Sequence, residues 1–163
     1  MVTELYKMVN SNGPSSFINK ELREAYLSTD YDVIGPKPFT LKIGEFSRGL
    51  EKLYIEKNVN SAGFLTAWNP HSKLTSLRDN EIAQRQLSMR LETVSVMVLP
   101  GVGVNPADTW PGEKSLLALG VSKELSVEIG KEFKQNAVVW IGNKCVPELI
   151  FCDAKHSRNN SDK

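Results

Sequence analysis

The chain has 163 residues, 40% of them hydrophobic and 24% charged, with 20 basic against 19 acidic side chains and a net charge of +1. That length suits one domain with a core that needs no staples, and the charge balance excludes a global pull toward nucleic acid or an anionic membrane. The two cysteines, Cys145 and Cys152, form no CxxC and are too sparse for a disulfide scaffold, and His71 and His156 are far apart, so neither a metal nor a cofactor is expected. The opening MVTELYKMVNSNG has no apolar h-region and no run approaches membrane-spanning length, so the expected address is the cytoplasm, with no membrane partner.

Residues 1–14 are polar and close on Asn12-Gly13-Pro14, which reads as a flexible arm. Residues 15–153 read as a single α+β domain, and 154–163 as a disordered tail. Ser15 or Ser16 caps a helix to about Leu27, with Ile18, Leu22, Ala25 and Tyr26 on one face. "YDVI" (31–34) and "FTLKIG" (39–44) are short strands around Gly35-Pro36-Lys37-Pro38. Ser47 caps a helix with Leu50, Leu53 and Tyr54 as its stripe. "AGFLTAW" (62–68) is apolar on both faces, as a central strand is.

Ser76, with Asp79 three residues on, starts the next helix in the manner of a capping box. Ala83, Leu87 and Leu91 form its buried stripe to about residue 92. "VSVMVL" (94–99) is a strand, followed by a long loop, PGVGVNPADTWPGE. "SLLALGV" (115–121) is a strand, and Ser122 opens a helix with Leu125, Ile129 and Phe133 inward. "NAVVWIG" (136–142) and "PELIFC" (147–152) close as a hairpin. The whole reads as α+β: a single mixed β-sheet with about four helices packed on it.

Helical crossovers make 62–68 parallel to 94–99, and 115–121 parallel to 136–142, while 94–99 and 115–121 turn back as an antiparallel pair. One edge then collects the C-terminal ends of the first two strands and the N-terminal ends of the other two. Asn69 and His71 leave a strand there. Asn80 lies in the first turn of its helix, on the stripe of Ala83, Leu87 and Leu91, and so points inward. The loop brings Asp108, Trp110, Glu113 and Ser115, and Gln135 with Asn136 enters the last crossover strand. Segments remote in sequence that converge on one edge form a candidate site.

Each of these residues also has a structural reading. Asn69-Pro70 is a common turn initiator, Ser76 is a cap, and Ser72 and Thr75 beside it either cap or hold an anion. Asn80 needs partners wherever it is buried, and loop carbonyls would serve as well as a ligand. Glu113, if buried, has a raised pKa and can act as acid or base; otherwise it is a surface glutamate. Ser115 has neither a GxSxG elbow nor a neighbouring histidine. GVG at 101–103 lacks a phosphate-loop context.

Ala67-Trp68-Asn69-Pro70, Asn80, Trp110-Pro111 with Glu113, and Phe133, Gln135-Asn136-Ala137 with Trp140 together resemble the pattern of a bacterial family known only as a domain of unknown function. The resemblance covers roughly residues 22–150, and Lys134 stands where the family pattern has Gly. It implies that these segments belong together and names no activity. The expected function is binding of a small polar ligand, nucleotide-, sugar- or amide-like. Asn69, Asn80, Gln135, Asn136 and Ser115 would supply contacts, with Glu113 as general acid or base should a hydrolysis or transfer reaction follow. The alternative is a protein-interaction or accessory module of toxin–antitoxin, defence or phage type, in which the amides form a structural network and a protein is the partner.

Overall fold

The computed structural model describes residues 15–107 and 112–153, with side chains from Lys20 onward. The arm at 1–14, the tail at 154–163, and Asp108 and Trp110 of the long loop lie outside the described residues. In chain order the elements are α1 (Ser15–Leu27), β1 (Asp30–Val33), β2 (Phe39–Leu41), α2 (Arg48–Lys57), β3 (Ala62–Leu65), a 3-10 turn (Pro70–Ser72), α3 (Leu77–Glu92), β4 (Met97–Val104), β5 (Glu113–Leu119), α4 (Lys123–Glu132), β6 (Ala137–Ile141) and β7 (Pro147–Phe151). The helix starts follow the capping chemistry of the sequence. Ser47, Ser76 and Ser122 each accept a backbone N–H three residues on, from Leu50, Asp79 and Leu125, which satisfies donors that a helix leaves free.

The strands form one seven-stranded sheet in the order β2-β1-β4-β5-β3-β6-β7. Every pairing in it is antiparallel, so the sheet is not mixed as expected from the crossovers. The directions expected for the crossover strands are nevertheless present: β3 runs the same way as β4, and β5 the same way as β6. Each crossover steps over one strand, so that β5 lies between β3 and β4 and β3 lies between β5 and β6. The two crossovers start from strands of opposite direction and step in opposite directions along the sheet. A single hand of connection therefore puts α3 and α4 on the same face.

Alternation along the strands divides the core between the faces. Val33, Phe64, Leu117, Leu119 and Ile141 pack with Leu50 and Tyr54 of α2 on one side. Leu65, Ala118 and Val138 pack with Leu87 and Leu91 of α3 and Ile129 of α4 on the other. All four residues of β3 are buried, as the absence of a polar face requires of a central strand. The Tyr54 hydroxyl donates to the Ile141 carbonyl at 2.8 Å and fastens α2 across the sheet. Gly130 lets α4 lie close to β6, because a Cβ there would stand 2.6 Å from Val138 and 2.8 Å from Cys152.

β3 ends at Leu65, short of the expected 68, and β5 is Glu113–Leu119 in place of 115–121; β4 differs most from its sequence reading. β4 starts at Met97 and continues through Pro100-Gly101-Val102-Gly103 to Val104, so the first five residues of the expected loop are strand. Gly101 is there for packing: a Cβ would lie 2.7 Å from the Phe64 ring and 2.8 Å from the Asp32 carbonyl. Pro100 is tolerated because its carbonyl takes Ile34 N–H at 2.8 Å. Its missing donor falls on that same side, past the last pair of the β1 ladder, Val33 with Gly101. Among the described residues no helix is long and apolar enough to cross a membrane.

Candidate functional site

The chain leaves the sheet at the end of β3, and its backbone donors there need new partners. Thr66 supplies the first: its hydroxyl donates to the Lys114 carbonyl at 2.6 Å and accepts Trp68 N–H at 3.0 Å. Helix α3 supplies the others. Ala67 N–H donates to Gln84 Oε1 at 2.9 Å, and Asn69 N–H donates to Asn80 Oδ1 at 2.8 Å. Two residues of extended chain advance about 7 Å and four residues of helix about 6 Å. Amides one turn apart on α3 therefore match the N–H groups of Ala67 and Asn69, just past the end of β3, and take the place of a neighbouring strand there.

The Asn69–Asn80 contact is reciprocal. Asn80 Nδ2 donates to Asn69 Oδ1 at 3.0 Å and to the Thr75 carbonyl at 3.3 Å. Thr75 N–H also donates to Asn69 Oδ1, at 3.1 Å. With two donors on its oxygen, the Asn69 side chain turns its Nδ2 the other way, toward Glu113 Oε1 at 3.4 Å. Asn69 itself holds a left-handed backbone, φ 48°, and His71 and Ser72 follow at 55° and 58°. Lys134 is left-handed at 56°, and its carbonyl accepts His71 N–H at 2.7 Å. Four strained residues thus sit together, each costing roughly 1–3 kcal/mol.

Glu113 opens β5 opposite Gly103 and faces a recess of about 50 Å3 bounded by Tyr26, Tyr31, Phe64, Trp68 and Asn69. That volume holds water or the tip of a ligand. Burial among these rings destabilises the carboxylate more than the Asn69 hydrogen bond restores it, and pushes the Glu113 pKa up to about 7. The Tyr26 hydroxyl is raised well above the usual phenol range, first by burial and then by the nearby Glu113 charge. The Ser72 side chain offsets part of this rise, and Asn136 Nδ2 donates to Ser72 Oγ at 2.9 Å.

The predicted residues therefore take different places. Asn69, Glu113, Ser115 and Gln135 line the recess. The Ser115 hydroxyl donates to the Glu113 carbonyl at 3.1 Å, and Gln135 Nε2 to the carbonyls of Trp68 and Phe133 at 3.4 and 3.2 Å. Asn80 points inward as its periodicity requires and is 3% exposed, but it stands behind Asn69, outside the recess. Asn136 reaches the recess through Ser72. Ser72, read from the sequence as a cap or an anion holder, completes the arrangement with Tyr26 and Gln84, to which the sequence reading assigns no site role. Tyr26 lies on the inward face of α1 and Gln84 one turn beyond Asn80, and in both cases the helical spacing carries the signal. Gln84 Nε2 is buried without a hydrogen-bond partner among the described residues.

Fold and site together define an antiparallel α+β domain with a half-buried carboxyl, that of Glu113, held beside an asparagine pair. Residues 65–138 match the model of the family described as "Protein of unknown function (DUF3293)". The likeness to a domain of unknown function is thus found, over a shorter stretch than the motifs suggested, and Asn69, Asn80, Glu113, Ser115, Gln135 and Asn136 all fall inside it. No curated protein and no solved structure matches the chain.

Proposed function

We propose that this domain binds a small polar molecule whose amide or hydroxyl end enters the recess, and that Glu113 exchanges a proton with it. The observation that carries the reading is the half-buried Glu113 carboxyl, which faces the recess with a pKa pushed up to about 7 and one oxygen held by Asn69. Such a group is both acid and base at neutral pH. The asparagine pair and the left-handed backbone at Asn69, His71 and Ser72 fix Asn69 in advance of binding, so a ligand has little ordering left to do there. A recess of about 50 Å3 takes the reacting end of a ligand and leaves a nucleoside or sugar body outside. The buried cysteines, both free, suit a reducing compartment such as the cytoplasm.

Thermal unfolding across a panel of carboxamides, polyols and nucleosides tests this. A ligand at a hundredfold over its dissociation constant stabilises by about 2.7 kcal/mol, a shift of several degrees. The shift is expected to vanish in Glu113→Gln with the circular dichroism spectrum unchanged. Silence across the panel, or a shift that survives the substitution, overturns the assignment. The mutual bonding of Asn69 and Asn80 favours a second reading, in which the amides only brace the strand end and the domain's partner is a protein; silence would support that one.

A further inference from the structure

A larger concavity, about 490 Å3, lies between α2 and the β1–β2 end of the sheet, and shares no lining residue with the Glu113 recess. Its floor is Val33, Phe39, Leu53, Met97 and Leu99. All but Val33 are partly exposed there, at the margin of the core on the α2 side. Gly35-Pro36-Lys37-Pro38 forms one wall, and the two fixed proline φ angles make it preformed. The rim is charged and unbalanced, with Lys37, Lys52 and Lys57 against Glu56. Glu56 is already within 3.9 Å of Lys37 and 3.5 Å of Lys57. The groove therefore offers hydrocarbon a surface and carries a net +2 at its mouth, in a chain whose total is +1.

We propose that this groove is a second binding site, for an amphipathic anion: a single molecule with an aliphatic body and a carboxylate head. The apolar floor buries the body, since each methylene taken from water contributes about 0.8 kcal/mol. The head stays at the mouth, where an ammonium group left over from the Glu56 pairs meets it without being desolvated. A concave site within the range of about 300–1,000 Å3 typical of small-molecule pockets fits one such molecule better than a bilayer surface.

Calorimetric titration of the full chain with decanoate, decanol and decyltrimethylammonium, each below its micelle-forming concentration, tests both halves of the proposal. Decanoate is expected to saturate a single site, with the neutral and cationic analogues weaker. Lys37→Glu combined with Lys52→Glu changes only exposed side chains, and should weaken decanoate about tenfold and favour the cation. Gly35→Phe fills the groove, since a Cβ there meets nothing nearer than Leu99 at 4.0 Å, and should abolish binding. Equal binding of all three amphiphiles, decanoate binding untouched by either variant, or binding seen only with phosphatidylglycerol vesicles would overturn it. The Glu113→Gln variant should titrate as wild type, which separates this site from the recess.

Discussion

Glu113 couples the recess to the stability of the domain. Its pKa rises from 4.5 unfolded to about 7 folded, so between those values the native state holds more of the proton than the unfolded chain does. Stability contributed by the neutral carboxyl is then full below about pH 4.5 and lost as pH climbs through 7. Denaturant unfolding of Glu113→Gln should lack this fall, which in the wild type is on the order of 3 kcal/mol. Equal pH slopes for the two proteins would place the carboxyl in water instead. Asn80→Ala should cost about 1–3 kcal/mol in the same assay, because it strands Asn69 N–H and frees the Asn69 side chain. The inward direction of Asn80 was legible from its place on the Leu87–Leu91 stripe. Its partner was not, since the match between α3 amides and strand donors exists only once the two elements are side by side. Nor was the partial burial of Glu113, which depends on rings contributed by α1, β1 and β3.

Helix ends and strand types were the legible part at the scale of elements, since serine caps, inward stripes and the all-apolar β3 each follow from local chemistry. β4 was misread for an instructive reason. Proline and two glycines in a row of five residues signal a turn when read alone, whereas Gly101 is set by the Phe64 ring lying over it and Pro100 by the end of the β1 ladder. The close of α4 offers a direct test. Lys134 takes the left-handed position at which helices commonly place glycine. Lys134→Gly should therefore stabilise the domain by about 1 kcal/mol, read as a rise in the denaturant midpoint at unchanged slope. No gain would mean that the lysine stem recovers the strain through its own packing. Since His71 N–H depends on the carbonyl of this residue, the same variant reports on how firmly the 69–72 turn is held.

For the molecule as a whole, strand directions were legible and strand neighbours were not. A helical crossover dictates that the strands it joins point the same way, but not how many others lie between them. Here both crossovers skip one strand, and the skipped strands are each other's: β5 sits within the step from β3 to β4, and β3 within the step from β5 to β6. That interleaving also has an order in time. As the chain is synthesised, β3 emerges with both of its edges open, and neither neighbour, β5 or β6, exists until residues 113–141 have been made. Four buried apolar residues with unpaired backbone on both sides are an invitation to the wrong strand. Until then the apolar partners already made for Phe64 on that face are Tyr31 and Val33 of β1, Leu41 of β2, and Leu50 and Tyr54 of α2.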